Sequence, residues 1–321
     1  MGPRKAPAPA SVAIINYNGR PYLEELLGSL ELQTRRPLET LLVDNASRDG
    51  SVAYVEREFP WVRVLPQERN LGFSRAANLA AGEARGAWLA LLNTDLRLEP
   101  DWLEELVAGG EADPAIAAVS SKLRLYDRPR RLNGVGGCMN RLGYTWDRGM
   151  GEEDRGQYDE SRDVLFACAG AALFHRSRFR EAGGFDPRFF MYHEDVDLCW
   201  RLWLLGFRVV TAPRAVAYHH LSASTREDRG LLWREILGER HNMRSLLKNY
   251  EGSNLARALW GLLTLRQPAR RKWAQLGNLA WNLRWLPETL RLRRRIRNQR
   301  RVTDAQLKRL IVQSRHVPIP R

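Results

Sequence analysis

The chain has 321 residues, enough for one large domain with an appendage, and an ordinary apolar content of 44%. Its net charge of +14 is uneven: from Arg226 to Arg321 there are 23 Lys+Arg against 7 Asp+Glu, whereas the preceding residues hold 28 and 30. Three scattered cysteines (Cys138, Cys168, Cys199) with no C-x-x-C exclude a disulfide framework and a zinc cluster and fit a reducing compartment, and the absence of an apolar run of about 18 residues argues against a membrane span.

Met1 to Ala10 is rich in Pro and Ala, has two basic residues and no apolar stretch, and is expected to be a disordered lead-in rather than a signal peptide. Ser11 to Tyr17 is a short β-branched run ending at Asn18-Gly19, the pattern of a buried parallel strand followed by a turn. Pro21 to Leu32 carries Leu23, Leu26, Leu27 and Leu30 at helical spacing. Leu38 to Val43 predicts a second strand ending at Asp44-Asn45, Ser51 to Phe59 a helix, and Val62 to Leu65 a third strand. Ser74 to Ala84 predicts a helix, Ala87 to Leu92 a strand ending at Asn93-Thr94-Asp95, and Asp101 to Ala108 a helix. This alternation predicts an α/β sheet with mostly parallel strands, which binds ligands beyond the carboxyl ends of its strands. Three such ends carry polar clusters: Asn16 with Asn18, Asp44 with Asn45, and Asn93 with Asp95. Each alone is compatible with simple turn chemistry.

From Ser120 to Asp163 the pattern weakens into a glycine-rich loop or hairpin region. Val164 to Phe174 reads as a strand or buried segment that something approaches closely at Gly170. Gly184 to His193 then reads as an aromatic loop, and Val196, Cys199, Leu202 and Leu205 mark the helix after it, closed by Gly206. Glu194 and Asp195 fall in that helix's first turn, where negative charge is tolerated. Helix capping and an Asp197–Arg201 pair would explain part of this pattern without any function. Phe207 to Thr211 and Ala215 to Tyr218 read as two more strands, the second ending in His219-His220. Beyond Arg226, Leu231 to Tyr250 reads as one helix, followed by apolar stretches with several Trp and the basic run Arg291 to Arg301.

No G-x-x-x-x-G-K-[ST] is present, and Asn133-Gly134-Val135-Gly136-Gly137 has the wrong context for a dinucleotide fingerprint, which disfavours a P-loop and hydride transfer. Asp44 is placed to accept hydrogen bonds from a nucleobase or ribose. Asp95 suits a hard divalent cation shared with substrate phosphates, with His219 or His220 as a nitrogen ligand. Asp195 or Glu194 suits removal of a proton from an attacking hydroxyl.

The ordered set of motifs resembles glycosyltransferase family 2, GT-A fold, in its bacterial rhamnosyltransferase-like branch. The pieces are Ile14 to Asn18, Val43 to Ser51, Asn70-Leu71-Gly72-Phe73-Ser74-Arg75-Ala76-Ala77-Asn78, Leu92 to Asp95, Gly184 to Leu202, and His219-His220-Leu221-Ser222-Ala223-Ser224. The resemblance implies a Rossmann-like mixed sheet over residues 11–225; 226–321 reads from its own pattern as a basic, Trp-containing helical C-terminal region. It implies an inverting enzyme that moves a sugar, rhamnose on dTDP by branch, from a nucleotide-diphosphate donor to a glycan or lipid-linked acceptor. Asp44 would contact the base, and Asn16, Asn18, Asn70, Gly72, Phe73, Asn78 and Asn93 would belong to the donor side. Asp95 would be the surviving acid of the family's metal motif, its first Asp replaced by Asn93. Mg²⁺ or Mn²⁺ would be the cofactor, with His219 the preferred further ligand and His220 the alternative. Asp195 would be the catalytic base, with Glu194 as the competing assignment.

The tail, with Trp260, Trp273, Trp281 and Trp285 beside Arg291 to Arg301, resembles an interfacial region on an anionic membrane, so the expected location is the inner face of the plasma membrane. Two other classes stay in view: a nucleotidyltransferase, disfavoured because Asn16-Tyr17-Asn18-Gly19-Arg20 lacks a glycine-rich loop, and a nucleic-acid binder acting through the Arg-rich tail.

Overall fold

The computed structural model describes residues 8–220, 231–264 and 269–312. Leu221, Ser222, Ala223 and Ser224 of the last motif, residues 1–7 of the expected lead-in, and the side chain of Trp273 lie outside the described residues. Ala8 and Pro9 precede the sheet, with the Ala8 N–H on Glu111 (2.6 Å), and Ala10 already belongs to the first strand, so the expected disorder does not reach residue 10.

The first half follows its sequence pattern closely. Strands β1 (Ala10–Asn16), β2 (Glu39–Asp44), β3 (Val62–Pro66) and β4 (Trp88–Asn93) alternate with helices α1 (Arg20–Glu31), α2 (Ser51–Glu58) and α3 (Phe73–Glu83). After β4 come β5 (Leu96–Leu98) and α4 (Trp102–Glu111). β1 is buried along its whole length, as a strand covered by helices on both faces must be. The order β3-β2-β1-β4 means that the chain winds outward from β1 and then returns to its other side. The carboxyl ends of β1 and β4 therefore flank a topological switch point, the place where open α/β sheets bind ligands.

The second half corrects several expectations. β6 (Ile116–Leu125) is a ten-residue central strand that the sequence pattern hid. Its sequence, IAAVSSKLRL, interrupts the apolar run with two serines and a lysine. Lys122 is buried there and reaches Asp154 (3.2 Å) and Asp159 from the glycine-rich region. That region forms β7 (Leu132–Val135), β8 (Gly137–Asn140) and β9 (Thr145–Asp147). Only Ala171–His175 of the apolar segment is strand (β10), antiparallel to both β4 and β6. The two strands expected over 207–218 are one, β11 (Arg208–His219), whose register against β6 shifts between Ala212 and Val216. Pro213 lies at that irregularity, where a missing N–H does least harm. Among the described residues the sheet is thus mixed, with nine strands.

Helices α5 (Arg176–Glu181) and α6 (Glu194–Leu204) flank the aromatic loop. Gly206, at φ +86°, ends α6 with its N–H on Trp203 O and the Phe207 N–H on Leu202 O, both 3.0 Å, a Schellman pair. The C-terminal region forms α7 (Leu231–Asn249), α8 (Gly252–Thr264), α9 (Ala269–Arg284), α10 (Leu286–Gln299) and α11 (Asp304–Leu307), followed by β12 (Ile311–Val312), paired with β8.

These helices are wired into the domain by buried charge. Asp186, before α6, receives Arg244 Nε (2.8 Å) and Lys248 Nζ (2.6 Å) from α7. Asp197, in α6, receives Lys248 Nζ (2.9 Å), Arg201 Nη2 (2.8 Å), Ser245 Oγ (3.1 Å) and Asn249 Nδ2 (3.2 Å). Glu288 of α10 accepts from Arg244 (2.8 Å) and Arg188 (2.7 Å). Although burial opposes ionisation, the Lys248 ammonium and the guanidiniums hold the Asp186 carboxyl far below the usual range and the Asp197 carboxyl at about 2.

Removing one partner from such a buried cluster leaves an uncompensated charge. Lys248→Met should lower the unfolding free energy by about 3–5 kcal/mol at neutral pH, measured by urea denaturation. Because both aspartates are depressed, the cluster's contribution is complete above the unfolded carboxylate value of about 4 and is lost as pH falls toward the folded values. The gap between wild type and variant should therefore narrow below pH 4; a gap independent of pH would refute the ionised assignment.

Candidate active site

The strand ends meet as the topology requires. Asn16 and Asp44 are register partners at the ends of β1 and β2, and Asn16 Nδ2 donates to Asp44 Oδ1 (2.6 Å). The other Asp44 oxygen accepts the Ser47 N–H (2.9 Å), so the carboxylate is fixed in the turn after β2. Asn18, in the left-handed region at φ +52°, accepts the Arg48 N–H on its side chain (2.9 Å) and locks the turn after β1 against it. On the other side of β1, Asn93 is one register step away, opposite Ile15, and its N–H donates to Gly170 O (2.8 Å).

Asp95 and His219 form the next pair along this edge. His219 lies opposite Leu96 in the β11–β5 ladder, which sets it beside Asp95. Its Nδ1–H donates to Asn133 Oδ1 (2.6 Å), so in the neutral ring Nε2 keeps its lone pair. That nitrogen stands 3.3 Å from Asp95 Oδ1, a buried oxygen that receives no hydrogen bond. Two converging lone-pair donors, the nitrogen oriented from behind by an amide, fit a divalent cation. Among the described residues no group of three or more His, Cys, Asp or Glu could hold a metal alone. Any further ligands would have to come from substrate phosphates and water, the usual habit of Mg²⁺. His220 is engaged elsewhere, stacked on Tyr126 at 3.6 Å between ring centroids and facing Glu25 (3.2 Å).

The Glu194–Asp195 pair is delivered by a strained loop. Tyr192 and His193 both adopt left-handed conformations, at φ +69° and +73°, uncommon for residues of their size. Several contacts hold them. His241 of α7 stacks on Phe189 (4.3 Å) and donates Nδ1–H to Tyr192 O (2.8 Å). Burial keeps that imidazole neutral, its pKa pulled down to about 4. Phe190 O accepts the Phe73 N–H (2.7 Å) and occupies the space where a Cβ on Gly72 would sit. Gly72 has φ +76° and ψ 171°, a conformation essentially reserved for glycine. Asn70 accepts the Gly72 N–H (2.8 Å). Asn78 uses both ends of its amide on the Phe185 backbone (2.8 and 2.9 Å). The polar groups of Asn70, Gly72, Phe73 and Asn78, expected to belong to a donor-side motif, thus brace one another and the Gly184–His193 loop.

The two acids have different surroundings. Asp195 Oδ1 accepts the Val196 N–H (2.8 Å) and Oδ2 the Ala169 N–H (3.3 Å), so the carboxylate plane is set by two backbone donors. Ala169 adjoins Gly170, which touches Asn93, and this path joins Asp195 to the β4 end. Burial raises the Asp195 carboxyl, and the backbone donors oppose that rise. Glu194 lies deeper, with Oε2 lacking any hydrogen-bond donor; burial and then the Asp195 charge push it up to about 8.

Asp147, on β9, was not anticipated. Its side chain packs over Gly134, beside the Asn133 that orients His219. Burial, followed by the Asp195 charge, raises its carboxyl to about 7, while His219 and Arg234 act in the opposite sense. It is therefore a third acid facing the same space, and an Asp in a glycine-rich stretch gave no signal of it. The α7 residues Trp233 and Arg234, packed against Tyr192, were also missed.

The sequence profile described as glycosyl transferase family 2 matches residues 11–183. The N-acetylglucosaminyl-diphospho-decaprenol L-rhamnosyltransferase of Mycobacterium tuberculosis is 34% identical over 239 residues, covering 68% of this chain and 78% of its own length. The O-antigen biosynthesis protein RfbC of Myxococcus xanthus is 33% identical over 224 residues, covering 67% of this chain and 18% of its own length. Among solved structures, GalNAc-T7 with UDP, GalNAc and Mn²⁺ matches with TM-score 0.65 at 17% identity, over 84% of this chain and 54% of that one, so this chain spans about half its length. Staphylococcus aureus TarS matches with TM-score 0.57 at 16% identity, over 91% and 53%. At these identities the structural likeness concerns the GT-A fold.

The environment of Glu194 has a measurable sign. A carboxyl raised in the folded state contributes full stability below its unfolded pKa and loses it as pH rises toward the folded value. Glu194→Gln should therefore melt at a higher temperature than wild type at pH 8 and match it near pH 4. Equal melting at both pH values would show that Glu194 is not held neutral.

Proposed function

Since the chain belongs to glycosyl transferase family 2, we propose that it transfers a sugar, with inversion, from a nucleoside-diphosphate donor to a hydroxyl of a lipid-linked glycan. The M. tuberculosis relative is named for L-rhamnosyl transfer to N-acetylglucosaminyl-diphospho-decaprenol. Rhamnose and a polyprenyl-diphosphate-linked amino sugar are accordingly our proposed donor sugar and acceptor class. Family membership decides against the nucleotidyltransferase alternative.

What supports this reading is that the lone-pair couple of Asp95 and His219 and the backbone-oriented carboxylate of Asp195 lie around the same Asp147, whose carboxyl both His219 and Asp195 influence. In our assignment Asp44 meets the base or ribose, fixed by Asn16, while Asn93 and Asp95 face the diphosphate. Asp95 and His219 would hold a divalent cation; the GalNAc-T7 structure of the same fold contains Mn²⁺. When bound, the cation neutralises charge developing on the leaving diphosphate.

The remaining work falls to the protein's own groups. Asp195 accepts the acceptor hydroxyl's proton while that oxygen bonds to the anomeric carbon. The bond from that carbon to the diphosphate oxygen breaks, and the nucleoside diphosphate leaves with the electron pair. Attack from the face opposite the leaving group inverts the centre, through an oxocarbenium-like transition state. Glu194, pushed up to about 8 by burial and the Asp195 charge, has no hydrogen-bond donor on Oε2, whereas Asp195 is braced by backbone amides, which favours Asp195 as the proton acceptor of the pair. The Val196 and Ala169 amides keep its carboxylate aimed.

Asp195→Asn should reduce kcat by about 10²–10⁴-fold, the usual worth of a general base, with donor Kd nearly unchanged by calorimetry. A variant that keeps most of its activity would remove Asp195 from the role. Asp95→Ala and His219→Ala should each weaken Mn²⁺-dependent nucleoside-diphosphate binding by at least about tenfold, a typical effect of disturbing a metal's surroundings. Unchanged affinity with Mn²⁺ present would contradict the assignment.

A further inference from the structure

Helix α9 is built inside out. Its asparagines are buried: Asn278 and Asn282 are each 3% exposed. Asn278 donates to Ile236 O (3.1 Å) and accepts from Arg240 Nε (3.1 Å), and Asn282 donates to Arg240 O (3.1 Å), all on α7. Its leucines face away from the protein: Leu276 is 56%, Leu279 45% and Leu283 58% exposed. Of the tryptophans expected at a lipid interface, Trp260 is exposed, whereas Trp281 and Trp285 pack against the protein. Trp281 packs against His241 (5.9 Å), and Trp285 carries the Arg188 guanidinium at 3.4 Å.

The exposed row continues into α10. The Trp285 N–H bonds Trp281 O (3.2 Å) and the Thr289 N–H bonds Trp285 O (2.9 Å), so helical bonding runs through the junction. Positions 276, 279, 283, 287, 290 and 294 keep spacings of three or four and are all exposed. They read Leu, Leu, Leu, Pro, Leu, Arg. Exposed Arg284, Arg291, Arg295 and Arg297 flank the row. α9 contains no acidic residue, and the single acid of α10, Glu288, is occupied by Arg188 and Arg244.

We propose that this row is a membrane-docking surface, with the α9 leucines entering the interface of an anionic bilayer and the arginines paired with its headgroups. Exposed leucines need an apolar partner, and the arginines need an anionic one. A lipid surface of this kind supplies both at once. A second copy of the chain would supply the leucines but would set arginine against arginine with no exposed acid in the row to balance them. The purpose rests on the lipid-linked acceptor proposed above: a docked enzyme meets that acceptor in two dimensions.

The test uses the full chain without donor or acceptor, so it stands or falls separately from the transfer reaction. Co-sedimentation with phosphatidylglycerol-rich vesicles should exceed that with pure phosphatidylcholine and should fall as salt rises. The triple variant Leu276→Gln, Leu279→Gln, Leu283→Gln should partition at least about tenfold less while keeping its melting temperature, because the replaced side chains are exposed. Wild-type partitioning by that variant would overturn the proposal, as would equal binding to neutral vesicles. Self-association of wild type in size-exclusion chromatography that the variant loses, without vesicle binding, would assign the row to a second copy instead.

Discussion

The structure depends on Lys248 lying between two buried aspartates. Asp186 lies near the start of the aromatic loop and Asp197 follows it in α6, and one ammonium from α7 spans both (2.6 and 2.9 Å). Neither carboxylate is tolerable in an apolar interior alone. The loop between them, which carries Glu194 and Asp195, is therefore closed at both ends by the same side chain. Arg201, Arg244, Ser245 and Asn249 complete the cluster, so the fold fixes this loop through charge as well as through packing.

That fixation allows the strain at Tyr192 and His193. Two consecutive left-handed residues are held because α3 supplies the Phe73 N–H on one side and α7 supplies His241 on the other. The result is a helix start at Glu194 that sets the two acids in unequal surroundings. One is braced by amides and the other is buried without a donor, which separates their tendencies to ionise although they are adjacent in sequence.

The first half of the fold was legible because strands covered on both faces leave continuous apolar runs, such as the AIIN of β1 and the LALLN of β4, and leucine spacing marks α1. β6 was not legible because its buried lysine finds its partners about thirty residues onward, a pairing that no local window contains. Pro213 split β11 because a bulge and a strand break look alike in sequence. At the site, motif order pointed to Asp44, Asp95, Asp195 and His219, and the contacts join their elements along one edge. The same order gave Asn70, Gly72, Phe73 and Asn78 to the donor side; the Phe73 N–H and the Asn78 amide bond the aromatic loop, and the Gly72 N–H bonds Asn70. Asp147 belongs to no local pattern. In the tail, composition revealed apolar and basic content but could not say which face α7 would cover, so Trp281 and Trp285 pack against the protein while the α9 leucines face outward.

Recombination between related transferases meets a boundary set by the Lys248 cluster. A chimera joined just after β11 would import Asp186 and Asp197 while leaving their cations in the discarded parent, and a junction within α7 would divide Arg244 from Glu288 and Thr289. The smallest segment that can be exchanged with its charges balanced runs from before Asp186 through Thr289. A swap of that length carries the proposed proton acceptor and the exposed leucines of α9 together, so the two are inherited as one unit.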